Sequence, residues 1–83
     1  MTQFGSYVWD AGKLLAAALP EALAKAKPGT PEFRAALRDA IEHLKEVPAA
    51  NGVYTMSPTD HLGLDHRARV MLRIESGQWK YIP

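Results

Sequence analysis

Two Asp-His pairs, Asp60-His61 and Asp65-His66, stand five residues apart in a stretch rich in Pro, Asp and Gly. Two imidazoles and two carboxylates are the donor types that hold a divalent metal. Aspartates in such a stretch also serve a humbler purpose, because their side chains accept from backbone N–H groups a residue or two ahead and so form turns. No helix or hairpin spacing fixes these four side chains relative to one another, so they read as turn residues and no metal is expected. His43 has no serine or cysteine placed to make it half of a nucleophilic pair. Glu32, Asp39, Glu42 and Glu46 are spaced as a solvated helix face. With no glycine-rich phosphate loop either, the chain reads as a non-enzyme without a cofactor.

A second constellation is cationic and aromatic. Arg67, Arg69, Arg73 and Lys80 surround Trp79 and Tyr81, the residue types that bind and stack nucleobases. The strand register set out below puts arginines and aromatics on opposite faces, which argues against that use. Ten Lys/Arg against nine Asp/Glu leave a net charge of only +1, whereas nucleic-acid binders are usually strongly basic. A third group, Phe4, Tyr7 and Trp9, crowds the start of the first helix beside Asp10. These rings either pack as core or as a staple or line a ligand cleft. Asp10 either makes a polar contact there or favours the positive helix end.

The elements that position these groups follow from periodicity. Val8, Ala11, Leu15, Ala18, Leu19, Ala22 and Leu23 recur at steps of three and four, which predicts a helix over 7–26 that starts between Ser6 and Val8. Pro20 inside it predicts a kink or a break, and Lys25, Lys27, Pro28 and Gly29 end it. Thr30 as N-cap and Pro31 at the first position open a second helix over 31–46. Its apolar stripe is Phe33, Leu37, Ala40, Ile41 and Leu44, and Val47-Pro48 stops it. A short strand follows at Val53–Met56, then a loop from Pro58 to Asp65. From Arg67 to Glu75 the pattern alternates, with Ala68, Val70, Leu72 and Ile74 on one face and Arg67, Arg69, Met71, Arg73 and Glu75 on the other. A Ser76-Gly77 turn then pairs Glu75 with Gln78, Ile74 with Trp79, Arg73 with Lys80 and Leu72 with Tyr81. Leu72, Ile74, Trp79 and Tyr81 thereby share one face. The class is α+β: two helices, a short strand and a C-terminal β-hairpin.

Eighty-three residues make one domain at most, and so short a chain buries only about 60–65% of its unfolded surface. There is no cysteine, hence no disulfide and no thiolate chemistry. The apolar run Leu14–Leu19 is too short to span a bilayer. Met1–Ser6 lacks the basic and apolar regions of a signal peptide.

Four segments carry a resemblance. They are YVWDA (7–11) leading a long Ala/Leu helix, KPGTPEFR (27–34) leading ALRDAIE, GVYTMSPTDH (52–61), and RVMLRIESGQWK (69–80) as a closing hairpin. In this order the chain resembles the C-terminal end of the type 1 periplasmic substrate-binding proteins of ABC transporters, the branched-chain amino acid (Leu/Ile/Val) receptor family. The resemblance implies that 1–83 is a single partial domain, a segment of a fold with two α/β lobes that close on an amino acid or similar small carboxylate. For the full-length relative it implies a periplasmic location and a membrane permease as partner. It places Phe4 and Tyr7 near the hinge and cleft as ligand-binding candidates. The groups that grip the ligand's carboxylate and amine come from earlier segments, so the chain is not expected to bind ligand alone. Apolar faces around Leu15, Leu19, Leu37, Ile41, Leu72 and Trp79 would then lack cover, which predicts self-association. The alternative is a freestanding small module that dimerises and binds a protein.

Overall fold

The computed structural model describes residues 2–83, without the side chain of Gln3. Helix α1 spans Gln3–Lys25, capped by the Thr2 hydroxyl, which accepts from the Gly5 N–H at 3.1 Å. It therefore starts several residues before the expected Ser6–Val8, because Thr2 is itself a capping residue and the following turn carries no helix breaker other than Gly5. The helix runs unbroken through Pro20. Proline removes one backbone hydrogen bond, but Ala18 and Ala22 on either side are buried at 1% and 0% exposure, and this packing holds both halves in one element.

Helix α2 spans Pro31–Glu42. The Thr30 hydroxyl accepts from the Phe33 N–H at 3.1 Å and donates to the Lys27 carbonyl at 2.7 Å, closing the turn from α1. The helix ends four residues short of the expected 46. Val47 precedes Pro48, which holds it in extended conformation, and the chain must turn to reach it. Glu46 makes that turn in the left-handed region (φ 52°). Val47–Pro48 is not merely a stop: it is strand β1, paired antiparallel with β2, Val53–Tyr54. The intervening turn is closed by the Ala49 N–H on the Gly52 carbonyl at 2.9 Å.

The loop after β2 folds back under the helices. The Met56 N–H donates to the Leu44 carbonyl at 2.8 Å and the Thr55 N–H to the Gly63 carbonyl at 3.0 Å. Gly63 sits at φ 79°, and a Cβ there would lie 2.9 Å from the Met56 sulfur and 3.0 Å from the Tyr54 ring. The core is small: Ala18 and Ala22 of α1, Ala36 and Ala40 of α2, Tyr54 and Met56. Alanines on both helices allow close approach of the two backbones, with Leu19, Phe33, Leu37 and Ile41 half-buried at the margins.

The alternation from Arg67 does not make a strand at once. His66–Ala68 is a single 3-10 turn capped by Asp65. The Asp65 carboxylate accepts from the Arg67 N–H at 2.9 Å and pairs with the Arg67 guanidinium at 2.8 Å. These local bonds outweigh the period-two pattern. Strand β3 begins at Met71 and runs to Glu75; β4 spans Gln78–Ile82. The pairing is the one the sequence predicts, Glu75 to Gln78 through Leu72 to Tyr81, continued by Met71 to Ile82. Ser76 (φ 50°) and Gly77 (φ 75°) form the turn with both residues left-handed, as a two-residue hairpin loop requires.

This hairpin stands away from the helices, and its strands pack chiefly on each other. The molecule measures 57 × 23 × 16 Å with a radius of gyration of 16.6 Å, against about 12 Å for a compact chain of this length. Its accessible surface is 6445 Å², about 1,500 Å² more than a compact monomer of this mass exposes.

Candidate functional site

The N-terminal half of α1 is the part of the molecule where polar chemistry and exposed rings meet. Phe4 and Tyr7 stand one turn apart and are 78% and 42% exposed; Trp9 is 58% exposed. Lys13, one turn beyond Trp9, lies 5.9 Å from the centroid of its ring. The absence of a side chain at Gly12 leaves a shallow hollow of about 260 Å³ between them. Phe4 and Trp9 are therefore not part of the core of this chain.

Asp10 does neither of the things expected of it. It is 1% exposed. Its Oδ1 accepts from the Ala50 N–H at 2.8 Å. Its Oδ2 accepts from the Asn51 N–H at 3.0 Å, from Asn51 Nδ2 at 2.8 Å and from the Tyr54 hydroxyl at 2.8 Å. Asn51 is itself held from the other side, its Oδ1 accepting from the Ser6 hydroxyl at 3.1 Å. One carboxylate thus ties α1 to a turn some forty residues later.

Burial by itself pushes the Asp10 pKa up. The bonds from Asn51, Tyr54 and Ala50 act the other way, and together they hold it below the ordinary 3.8. The same contact pushes the Tyr54 hydroxyl up to about 12, through burial first and then its bond to Asp10. Tyr7 adds a smaller electrostatic contribution to that rise. The site can therefore hold a carboxylate ionised and a phenol neutral across the whole physiological range. That is the chemistry of a fixed joint; neither group is poised to exchange protons near neutrality.

The other candidates are dispersed. The Asp60 carboxylate accepts from the Leu62 and Gly63 N–H groups at 3.0 and 3.1 Å, a turn contact as expected. His61 lies 3.2 Å from Glu42 of α2, at the edge of a hollow bordered by Arg38, Ile41 and Met56. Asp65 is held down to about 2 by its bonds from Arg67. Arg67 also reaches back to Glu46 at 3.0 Å, fastening the 3-10 turn to the turn that precedes β1. Among the described residues no three or more His, Cys, Asp or Glu side chains gather as a metal would require. His43 turns its Nδ1 to the Asp39 carbonyl at 2.6 Å and serves the helix end.

Among the described residues, two apolar faces have no cover. On α1, Phe4, Val8, Ala11 and Leu15 follow steps of four, three and four, which aligns them as one stripe. α2 has twelve residues against twenty-three in α1 and covers only the part around Ala18 and Ala22. Val8 is 73% exposed and Leu15 43%. On the hairpin, Leu72, Ile74, Trp79 and Tyr81 are all exposed. Of the residues expected to lie uncovered, Leu15, Leu72 and Trp79 do, whereas Leu19, Leu37 and Ile41 are half-buried between the helices.

Among solved structures, an extracellular ligand-binding receptor from Rhodopseudomonas palustris HaA2 is similar over the whole of this chain, with 41% identity and a TM-score of 0.88. A second extracellular ligand-binding receptor from Rhodopseudomonas palustris is 43% identical with a TM-score of 0.87, again over the whole chain. A further one from the HaA2 strain is 44% identical over 95% of the chain, with a TM-score of 0.80. The chain spans only 22–23% of the length of these receptors. No protein-family model and no curated protein matches it.

Proposed function

We propose that this chain is the part of an extracellular solute-binding receptor that supplies a helix pair and a β-hairpin to one lobe, the solute being an amino acid or similar small carboxylate carried to an ABC importer. The observation that carries this reading is the match of the entire chain, at 41% identity, to 23% of a ligand-binding receptor. The exposed surface supports it independently. About 1,500 Å² beyond a compact monomer's area is what a segment shows when the sheet it belongs on is elsewhere. In this reading the Asp10 latch fixes α1 against the 49–54 turn, and Phe4 and Tyr7 border the ligand cleft near the hinge. The receptor is a binding protein, not an enzyme, and it works outside the cytoplasm.

A chimera tests the proposal. The 83 residues replace the matching segment of the Rhodopseudomonas palustris HaA2 receptor, and ligand binding is measured by calorimetry with a panel of amino acids and aromatic acids. The chimera is expected to fold and to bind as its parent does. Replacing Phe4 and Tyr7 by Ala in it should weaken binding roughly tenfold or more if the two rings line the cleft. A chimera that fails to fold, beside a parent that folds, overturns the segment reading. The uncovered faces also support a second reading, a freestanding module that pairs with another protein.

A further inference from the structure

We infer that two copies of this chain associate through a two-fold exchange in which the hairpin of each covers the N-terminal stripe of the other's α1. This concerns the chain on its own in solution and does not rest on the receptor reading.

Three observations carry it. The first is area. Phe4, Trp79 and Tyr81 are 78%, 72% and 62% exposed, and rings of about 150–250 Å² each offer roughly 400 Å² per copy at those fractions. Val8, Leu15, Leu72 and Ile74 add aliphatic area that is likewise exposed. Counted twice by symmetry, this reaches the ~1,200–2,000 Å² of a stable interface.

The second is charge. From Thr2 to Gly12 the only formal charge is Asp10, and it is buried and fully bonded on another side of the helix. The hairpin's charges, Arg73, Lys80 and Glu75, are paired among themselves on the face opposite Trp79. Docking apolar face on apolar stripe therefore strands no charge.

The third is placement. Ala50 and Asn51 are bonded to Asp10, and Gly52 next to them lies against Ala68, where the chain departs for the hairpin. Both uncovered faces thus sit at the same end of the molecule, although a chain does not pack its own hairpin on its own stripe. One encounter with a second copy covers all four faces and closes the assembly. A hairpin laid on a helix is the two-layer arrangement in which each element's apolar side finds a partner.

The test is complementation between two variants whose substituted residues are exposed in the single chain. Light scattering after gel filtration should give wild type twice the 9.1 kDa chain mass. Phe4→Lys and Trp79→Lys, each checked for unchanged circular dichroism, should raise the dissociation constant roughly 30-fold or more. Mixed in equal amounts, the two variants should regain dimer. In the mixed pair one exchange contact carries both substitutions and the other carries neither. A hairpin-to-hairpin and stripe-to-stripe dimer puts one lysine in each contact and gains nothing on mixing. A monomeric wild type, an open-ended series of oligomers, a dimer indifferent to Trp79→Lys, or a mixture no better than its components each overturns the inference.

Discussion

The Asp10 latch and the C-terminal hairpin are held together by opposite means. The latch joins residues forty apart through one buried carboxylate and four donors, in a region whose apolar core is mostly alanine. The hairpin joins adjacent residues through backbone pairing, with turn and register in full agreement, and it buries almost nothing. The comparison teaches that local consistency and tertiary stability are separate properties. A two-stranded ribbon in water is marginal whatever its register. A small helix pair with little apolar area becomes specific when a single polar contact decides which turn packs where.

The contrast can be broken most forcefully at Asp10. Asp10→Ala leaves the Ala50, Asn51 and Tyr54 donors facing a void. It should cost about 3 kcal/mol, read as a shift of the urea midpoint of the helical signal. A loss below about 0.5 kcal/mol would mean that water replaces the carboxylate and that the latch is not what orders the body. Gly63→Ala comes next. The left-handed backbone and the sub-van der Waals approach to Met56 and Tyr54 predict a loss of about 2 kcal/mol, seen in the same melt.

Thr30→Ala removes the cap of α2 and should cost about 1 kcal/mol, measurable in the same way. pH resolves the latch without substitution. A carboxylate whose folded pKa lies below its unfolded value stabilises the fold above pH ~4 and loses that stabilisation as pH falls through the folded value. The acid limb belongs to Asp10 and Asp65 together, so the melt of Asp65→Asn isolates the Asp10 share. Tyr54 gives the alkaline counterpart. Its folded pKa of about 12 against an ordinary 10.0 means that stability is complete below pH 10 and declines between pH 10 and 12. Tyr54→Phe should abolish that decline. Last and smallest, Trp79→Ala should change the melt of the helical body by less than about 0.5 kcal/mol at concentrations where the chain is monomeric. The amides of 71–82 should exchange with deuterium faster than those of α1 around Ala18 and Ala22.

Much of this architecture is visible in the one-dimensional pattern. The three-four spacing of α1, the Thr30-Pro31 start of α2 and the Ser-Gly turn with its register act over a few residues, where propensity and sterics suffice. The departures have a common origin. The early end of α2 and the pairing of Val47–Pro48 depend on Val53–Tyr54 having a place to sit. The 3-10 turn at His66–Ala68 depends on an Asp65–Arg67 pair competing with a strand pattern that had nothing to pack against. The one sequence hint of the latch is that Asp10 lies in line with Leu14, Ala18 and Ala22 at steps of four, a charge at the head of the buried alanine row. Its donors carry no such mark, because nothing local connects residue 10 with residues 50–54.

By itself the sequence determined the two helices, the hairpin and its pairing, since each rests on contacts within a turn or between neighbouring strands. The tertiary structure alone decided which apolar residues are buried. The seven-residue stripe of α1 is uniform in sequence, yet Ala18 and Ala22 are enclosed while Val8 and Leu15 stand in water. The reason is length: a helix of twelve residues, rising 1.5 Å per residue, covers about half of a helix of twenty-three, and the hairpin packs on itself and leaves the rest uncovered.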